Sequence, residues 1–150
     1  MNRFEGLIAA PFAPMSASGD VMYDRIEGYY DFLEKNKVVG AFINGSTGEG
    51  VSLSQNEKMR IVEEWTKRAK VKKTVKVITL VGGTSYVECI ENALHAREQG
   101  VYGIALLHPI ILSRQMPNNW RNLYQEWLKR CQNCLFISIT SLFCRVASCP

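Results

Sequence analysis

The residues best suited to chemistry lie in one short segment, 45–50, which reads Gly-Ser-Thr-Gly-Glu-Gly. The apolar run 38–43 before it is typical of a buried β-strand, and 54–57 after it reads as a helix start. A strand-to-helix turn of this composition can direct backbone N–H groups and two hydroxyls at a small anion, with glycine allowing close approach. We therefore predict a carboxylate site here. Its predicted binding residues are Gly45, Ser46, Thr47 and Gly48.

Two features of this turn have alternative interpretations. The hydroxyls of Ser46 and Thr47 could instead stabilise the helix entry through local hydrogen bonds. Glu49 is predicted to support the turn through backbone N–H groups rather than to act in catalysis.

Strands and helices alternate along the rest of the chain. Apolar, β-branched runs predict strands at 7–12, 38–43, 75–81, 103–107 and 135–139. Helical spacing predicts helices at 24–37, behind a capping box of Ser54 and Glu57, after 82–84 with a cap at Gly100, and after Pro117. This βαβαβαβα(β) order favours a parallel sheet, either doubly wound or a TIM barrel. Ligands bind at the carboxyl ends of the strands in both folds.

The helices carry apolar faces that we expect to pack on the sheet. The predicted inward residues are Ile26, Tyr29, Tyr30, Leu33, Met59, Val62, Trp65, Ala69, Val87, Ile90 and Leu94. The aromatic stripe Trp120, Tyr124 and Trp127 is interpreted as helix core rather than as a sugar platform.

Composition predicts one cytoplasmic domain. The chain has 150 residues, 47% of them hydrophobic, and a formal net charge of +4. Its basic residues are scattered, so we expect no nucleic-acid partner. No leader opens the chain and no apolar run approaches about 18 residues, which predicts neither secretion nor a membrane partner.

Three segments together resemble a known superfamily. Residues 6–14, 45–50 and 81–85 read GLIAAPFAP, GSTGEG and VGGTS. They are similar to the dihydrodipicolinate synthase superfamily of pyruvate-dependent class I aldolases, and within it to the N-acetylneuraminate lyases. The resemblance covers about 6–136. It implies an α/β fold that is a partial TIM (β/α)8 barrel, made of about the first four to five β/α units.

The resemblance also implies a reaction. Members of this family cleave N-acetylneuraminate (sialic acid) reversibly to N-acetylmannosamine and pyruvate, commonly as homotetramers and without a metal or other cofactor. A strand lysine forms a Schiff base with the keto carbon, and a tyrosine at the end of the fifth strand relays protons. The family's Ser-Thr pair, matched here by Ser46 and Thr47, holds the carboxylate of the 2-keto acid.

The catalytic residues of the family find no match in this chain. Lys76 is the only lysine inside a predicted strand, and it lies near the start of that strand, at the wrong end for the site. The family's tyrosines are replaced at 137–141 by Ile-Ser-Ile-Thr-Ser. Ile111 occupies a position where some members carry a relay tyrosine. We therefore predict no catalytic residue and no activity for the chain alone.

The segment 137–150 differs in composition from 1–136, which we interpret as the N-terminal half of an aldolase-type barrel. Four cysteines crowd the last twenty residues: Cys131, Cys134, Cys144 and Cys149. Four thiolates could bind zinc. Incidental cysteines after a frameshift or misjoined exon near 134–136 are the favoured hypothesis, so no metal site is predicted.

Neither histidine is predicted to act in catalysis. His108 ends a predicted strand and could line the pocket, although a loop position beside Pro109 is the simpler interpretation. His95 is predicted to be exposed on its helix.

Overall fold

The computed structural model describes residues 5–83, 85–107, 135–140 and 143–147. Nine elements follow in chain order: β1 Ile8–Ala9, α1 Arg25–Lys35, β2 Gly40–Ile43, α2 Gln55–Lys72, β3 Lys76–Leu80, α3 Tyr86–Gln99, β4 Gly103–Leu107, β5 Leu135–Thr140 and β6 Phe143–Ala147. The first three predicted helices and all five predicted strands are confirmed. The helix predicted after Pro117 lies outside the described residues.

The six strands form one sheet in sequential order, from β1 to β6. Strands β1 to β5 pair in parallel, with Ala41 opposite Val77 and Ile78 opposite Gly103. A doubly wound sheet reverses its strand order at a switch point, and no reversal occurs between β1 and β5. The fold is therefore a partial α/β barrel.

Strand β6 departs from the repeating pattern. It pairs antiparallel with β5, with Ile137 opposite Val146. Only two residues, 141 and 142, separate β5 from β6 in the sequence. Antiparallel neighbours can be joined by a tight turn, whereas a parallel neighbour needs a long crossover.

The helix ends are set by local hydrogen bonds. At the start of α2, the Ser54 hydroxyl accepts from the Glu57 N–H, while the Glu57 carboxylate accepts from the Ser54 N–H, so the predicted capping box is confirmed. Gly100 ends α3 in the left-handed conformation, at φ 75°, as predicted. These bonds satisfy backbone groups that a helix end otherwise leaves unpaired.

The main core combines buried residues of the sheet with buried residues of α1, α2 and α3. Tyr30 and Trp65 are 0% and 2% exposed, and their ring centroids lie 6.0 Å apart. Helix α3 packs differently from its prediction, because Val87 is 61% exposed while Ala93 and Ala96 are fully buried. The two alanines, three residues apart, define the buried face of α3, and Val87 in the first turn lies off that face.

No helix among the described residues is both long and apolar enough to span a bilayer.

Candidate carboxylate site

The segment 45–50 lies at the carboxyl edge of the parallel sheet. It follows Ile43, the last residue of β2, and leads into α2. The segment after β1 approaches it closely, since a Cβ placed on Gly48 would lie 3.1 Å from the Pro11 carbonyl oxygen. The ends of two neighbouring strands therefore meet at this turn.

The backbone of the turn is tightly folded. The N–H of Glu49 donates to the Ser46 carbonyl at 3.2 Å, and the N–H of Gly50 donates to the Gly45 carbonyl at 3.0 Å. Glu49 itself has φ 56°. A Cβ on Gly50 would overlap the carbonyl oxygen of Asn44. Only glycine fits at position 50 without a shift of the backbone.

Several hydrogen-bond donors of the turn are available to a ligand. Ser46 and Thr47 are exposed, whereas Gly45 and Gly48 are buried. Within the described residues, neither hydroxyl makes a hydrogen bond, and neither do the N–H groups of Ser46, Thr47 and Gly48. The local hydroxyl bonds of the alternative interpretation are thus not found in this part of the chain. Carboxylate binding by these residues stays a prediction.

Glu49 contributes to the turn through its backbone. Its carbonyl accepts from the N–H of Ser52 at 2.8 Å and from that of Leu53 at 3.2 Å, while its side chain is exposed. These bonds join the turn to the capping box of α2. The supporting role of the Glu49 side chain stays a prediction.

Asn44 is a functional candidate that the sequence analysis missed. It directly follows β2, has φ 58° and is 5% exposed. Its Nδ2 donates to the Lys58 carbonyl at 3.2 Å and to Thr79 Oγ1 at 3.1 Å. Asn44 thus connects β2, α2 and β3 immediately before the turn. The Asn-Gly pair at 44–45 was a usable signal, because asparagine tolerates positive φ better than most residues.

Lys76 lies at the other end of the sheet. It is the first residue of the five-residue strand β3, so four steps of about 3.3 Å place it roughly 13 Å from the carboxyl end of that strand. Its Nζ lies 4.1 Å from the centroid of the Tyr102 ring. The predicted position of Lys76 at the start of its strand is confirmed; that this end of the sheet is wrong for imine chemistry stays a prediction.

His95 is not exposed, contrary to the prediction. Its side chain is 17% exposed, and its Nε2 lies 2.9 Å from Glu63 Oε1 on α2. The polar sequence around His95 suggested solvent, but α2 packs against that side of α3. His108 and Ile111 lie outside the described residues, as do Trp120, Tyr124 and Trp127.

The described residues hold no cluster of three or more potential metal ligands. Cys144 lies in β6, whereas Cys131, Cys134 and Cys149 fall outside the described part of the chain. Burial raises the pKa of the Cys89 thiol on α3, which makes it a poor nucleophile.

Fold and turn together define the class: a partial β/α barrel with a hydroxyl- and glycine-rich turn at the carboxyl edge of its sheet. A family model for the dihydrodipicolinate synthetase family matches residues 3–132. The chain belongs to that family.

Individual relatives agree with this assignment. Human N-acetylneuraminate lyase is 41% identical over 112 residues, which cover 74% of this chain and 35% of the human protein. Proteus mirabilis N-acetylneuraminate lyase superposes with a TM-score of 0.81 at 26% identity, covering 91% of this chain and 46% of that one. Dihydrodipicolinate synthase from Aquifex aeolicus gives a TM-score of 0.72 at 28% identity, covering 90% and 44%. The chain thus spans less than half the length of these proteins.

Proposed function

We propose that this chain is the N-terminal half of an N-acetylneuraminate lyase-type aldolase, with Ser46 and Thr47 as its carboxylate-binding pair. The complete barrel performs reversible Schiff-base cleavage of N-acetylneuraminate to N-acetylmannosamine and pyruvate. The observation that carries the proposal is the position of the turn: its unpaired hydroxyls and N–H groups lie at the carboxyl edge of a sheet from this family. A cytoplasmic location and a homotetrameric assembly belong to the proposal.

The roles of the two half-barrels follow from the chemistry of aldol cleavage. An aldol cleavage needs an electron sink at the keto carbon, which an amine provides by forming an imine. The turn supplies hydroxyl and amide donors but no amine, and Lys76 is at the opposite end of the sheet. The chain therefore binds the acid end of the substrate, and the imine lysine comes from the half-barrel that completes the fold.

Half-barrel complementation tests the proposal. The chain is co-expressed with the C-terminal half of human N-acetylneuraminate lyase, and pyruvate release from N-acetylneuraminate is measured. We expect activity from the pair and none from either half.

The double variant Ser46→Ala/Thr47→Val should raise the KM of the pair at least tenfold, because two donors to a charged group are removed. Val51→Ala, an exposed neighbour, is the matched control. A double variant with an unchanged KM would contradict the role of the turn.

Borohydride reduction in the presence of pyruvate tests the division of labour. Reduction fixes any pyruvate imine as a stable adduct, which mass spectrometry detects. We expect no adduct on the chain alone and one adduct, on the C-terminal half, in the complemented pair. An adduct on Lys76 or on any other lysine of this chain would overturn the assignment.

A second aldolase of the same family is the alternative. The similarity to the Aquifex aeolicus synthase supports this alternative. Its sequence identity to this chain, 28%, is no lower than the 26% identity of the Proteus mirabilis lyase. Comparing N-acetylneuraminate with other 2-keto acids in the complemented pair separates the two. A non-catalytic interaction fragment is the third candidate, and complementation that yields no active pair would favour it.

A further inference from the structure

Three buried polar atoms behind the turn lack a hydrogen-bond partner among the described residues. They are Asn44 Oδ1, Asn92 Oδ1 and His95 Nδ1. Buried polar atoms are nearly always paired, and leaving one unpaired costs free energy. Three such atoms in one region therefore point to a shared partner.

All three residues line the same small cavity. It has a volume of about 10 Å³ and lies between the ends of β2 and β3 and the facing sides of α2 and α3. A cavity of this size, close to the lower limit for one water molecule, takes a water when two to four polar groups surround it. The remaining wall is formed by Lys58, Met59, Val62, Thr79, Leu80 and Val81.

We propose that this cavity is a binding site for one structural water, held by Asn44, Asn92 and His95. The orientation of the Asn44 amide is fixed, because its Nδ2 already donates to the Lys58 carbonyl and Thr79 Oγ1. Its Oδ1 must therefore accept a hydrogen bond, and the water donates it.

One water can pair the polar groups of the cavity whether or not His95 Nδ1 carries a hydrogen. Glu63 Oε1 accepts from His95 Nε2, so Nε2 carries a hydrogen. If Nδ1 has no hydrogen, the water donates to Nδ1 and to Asn44 Oδ1 and accepts from Asn92 Nδ2 after a half-turn of that amide. If Nδ1 is protonated, it donates to the water, which then donates to both asparagine oxygens. Each state satisfies all three side chains.

The water extends the junction at Asn44 to a fourth element. Direct hydrogen bonds connect Asn44 to α2 and β3, and the water adds α3 through Asn92 and His95. The start of the turn is thereby connected to α2, β3 and α3. This inference concerns the fold behind the turn and does not depend on the proposed function.

Asn92→Leu gives opposite results for a wet and a dry cavity. With the water bound, the variant removes a partner and leaves Asn44 Oδ1 and His95 Nδ1 poorly paired, so the Tm of the chain should fall by about 2–4 °C. In a dry cavity, the variant would remove an unpaired oxygen and fill space, so the Tm would rise. Asn56→Leu, on the exposed surface of α2, controls for the change in helix propensity. A Tm that rises relative to this control overturns the proposal.

Water-selective cross-relaxation NMR on the 15N-labelled chain gives a second readout. We expect a cross-peak between a long-lived water and the side-chain amide of Asn44 in the wild type. The peak should be lost in Asn92→Leu and kept in Asn92→Asp, which retains an oxygen at that position. A wild-type spectrum without the cross-peak contradicts the water site.

Discussion

The hydroxyl of Tyr30 on α1 is bonded to both backbone groups of Val75, the residue just before β3. The Val75 N–H donates to Tyr30 Oη at 2.9 Å, and Oη donates to the Val75 carbonyl at 3.1 Å. Both residues are buried, at 0% and 1% exposure. One side chain thus completes the backbone pairing at the amino end of a central strand.

Tyr30→Phe should destabilise the chain by about 1–3 kcal/mol, because it leaves a buried N–H and a buried carbonyl unpaired while keeping the ring in the core. Chemical denaturation measures the change. Tyr23→Phe is the matched control, since the Tyr23 hydroxyl makes no hydrogen bond within the described residues. Equal losses in the two variants would show that the Val75 bonds contribute nothing.

Two glycine-to-alanine substitutions should change the stability of the chain in opposite directions. Gly50→Ala brings a Cβ onto the Asn44 carbonyl and should cost about 1–3 kcal/mol, because the backbone must shift. Gly28→Ala in α1 meets nothing within 4 Å and should stabilise the chain by about 0.5–1 kcal/mol through helix propensity. Denaturation of the two variants in parallel checks this. A Gly50→Ala chain as stable as wild type would mean that the turn is less constrained than its geometry indicates.

The capping box of α2 should make the folding stability of the chain depend on pH. Hydrogen bonds from the Ser54 hydroxyl and N–H lower the pKa of Glu57 below its ordinary 4.5. A carboxyl group with a lowered folded pKa contributes stability above its unfolded pKa and loses it as pH falls through the folded value. Glu57→Gln should therefore be less stable than wild type at pH 7, with the difference shrinking below about pH 4.5.

Thermal unfolding between pH 3 and pH 7 measures this difference. Ser54→Ala removes the other partner of the capping box. It should show a similar dependence of thermal stability on pH. A gap between Glu57→Gln and wild type that is constant across this range would rule out the ionised carboxylate as its source.

The edge of the sheet at β1 should promote self-association. Within the described sheet β1 pairs only with β2, and apolar side chains around it are exposed: Leu7 at 66%, Ile8 at 41% and Phe12 at 58%. An unpaired strand edge beside apolar surface favours pairing with another chain. Leu7→Lys should lower the weight-average mass in sedimentation, because a charge at the edge opposes close approach. Val51→Lys, at an 88% exposed valine outside the β1 segment, should not. A monomeric wild type would contradict this prediction.

Much of the local structure could be predicted from the sequence. The capping box at Ser54, the cap at Gly100 and the individual strands before and after 45–50 were all predicted. Each depends on residues a few positions apart, so the pattern and the structure that it specifies share one short segment. The position of Lys76 at the start of its strand followed from the same local reasoning.

Only the tertiary structure decided the remainder. The partial burial of His95 depends on α2, which carries Glu63, 32 positions earlier. The exposure of Val87 depends on the rotation of α3 against its neighbours. The polar cavity combines atoms of four elements, and the return of β6 beside β5 depends on strand pairing. Residue types specify hydrogen-bonding capacity and local conformation, but which groups meet across the core depends on how the elements pack.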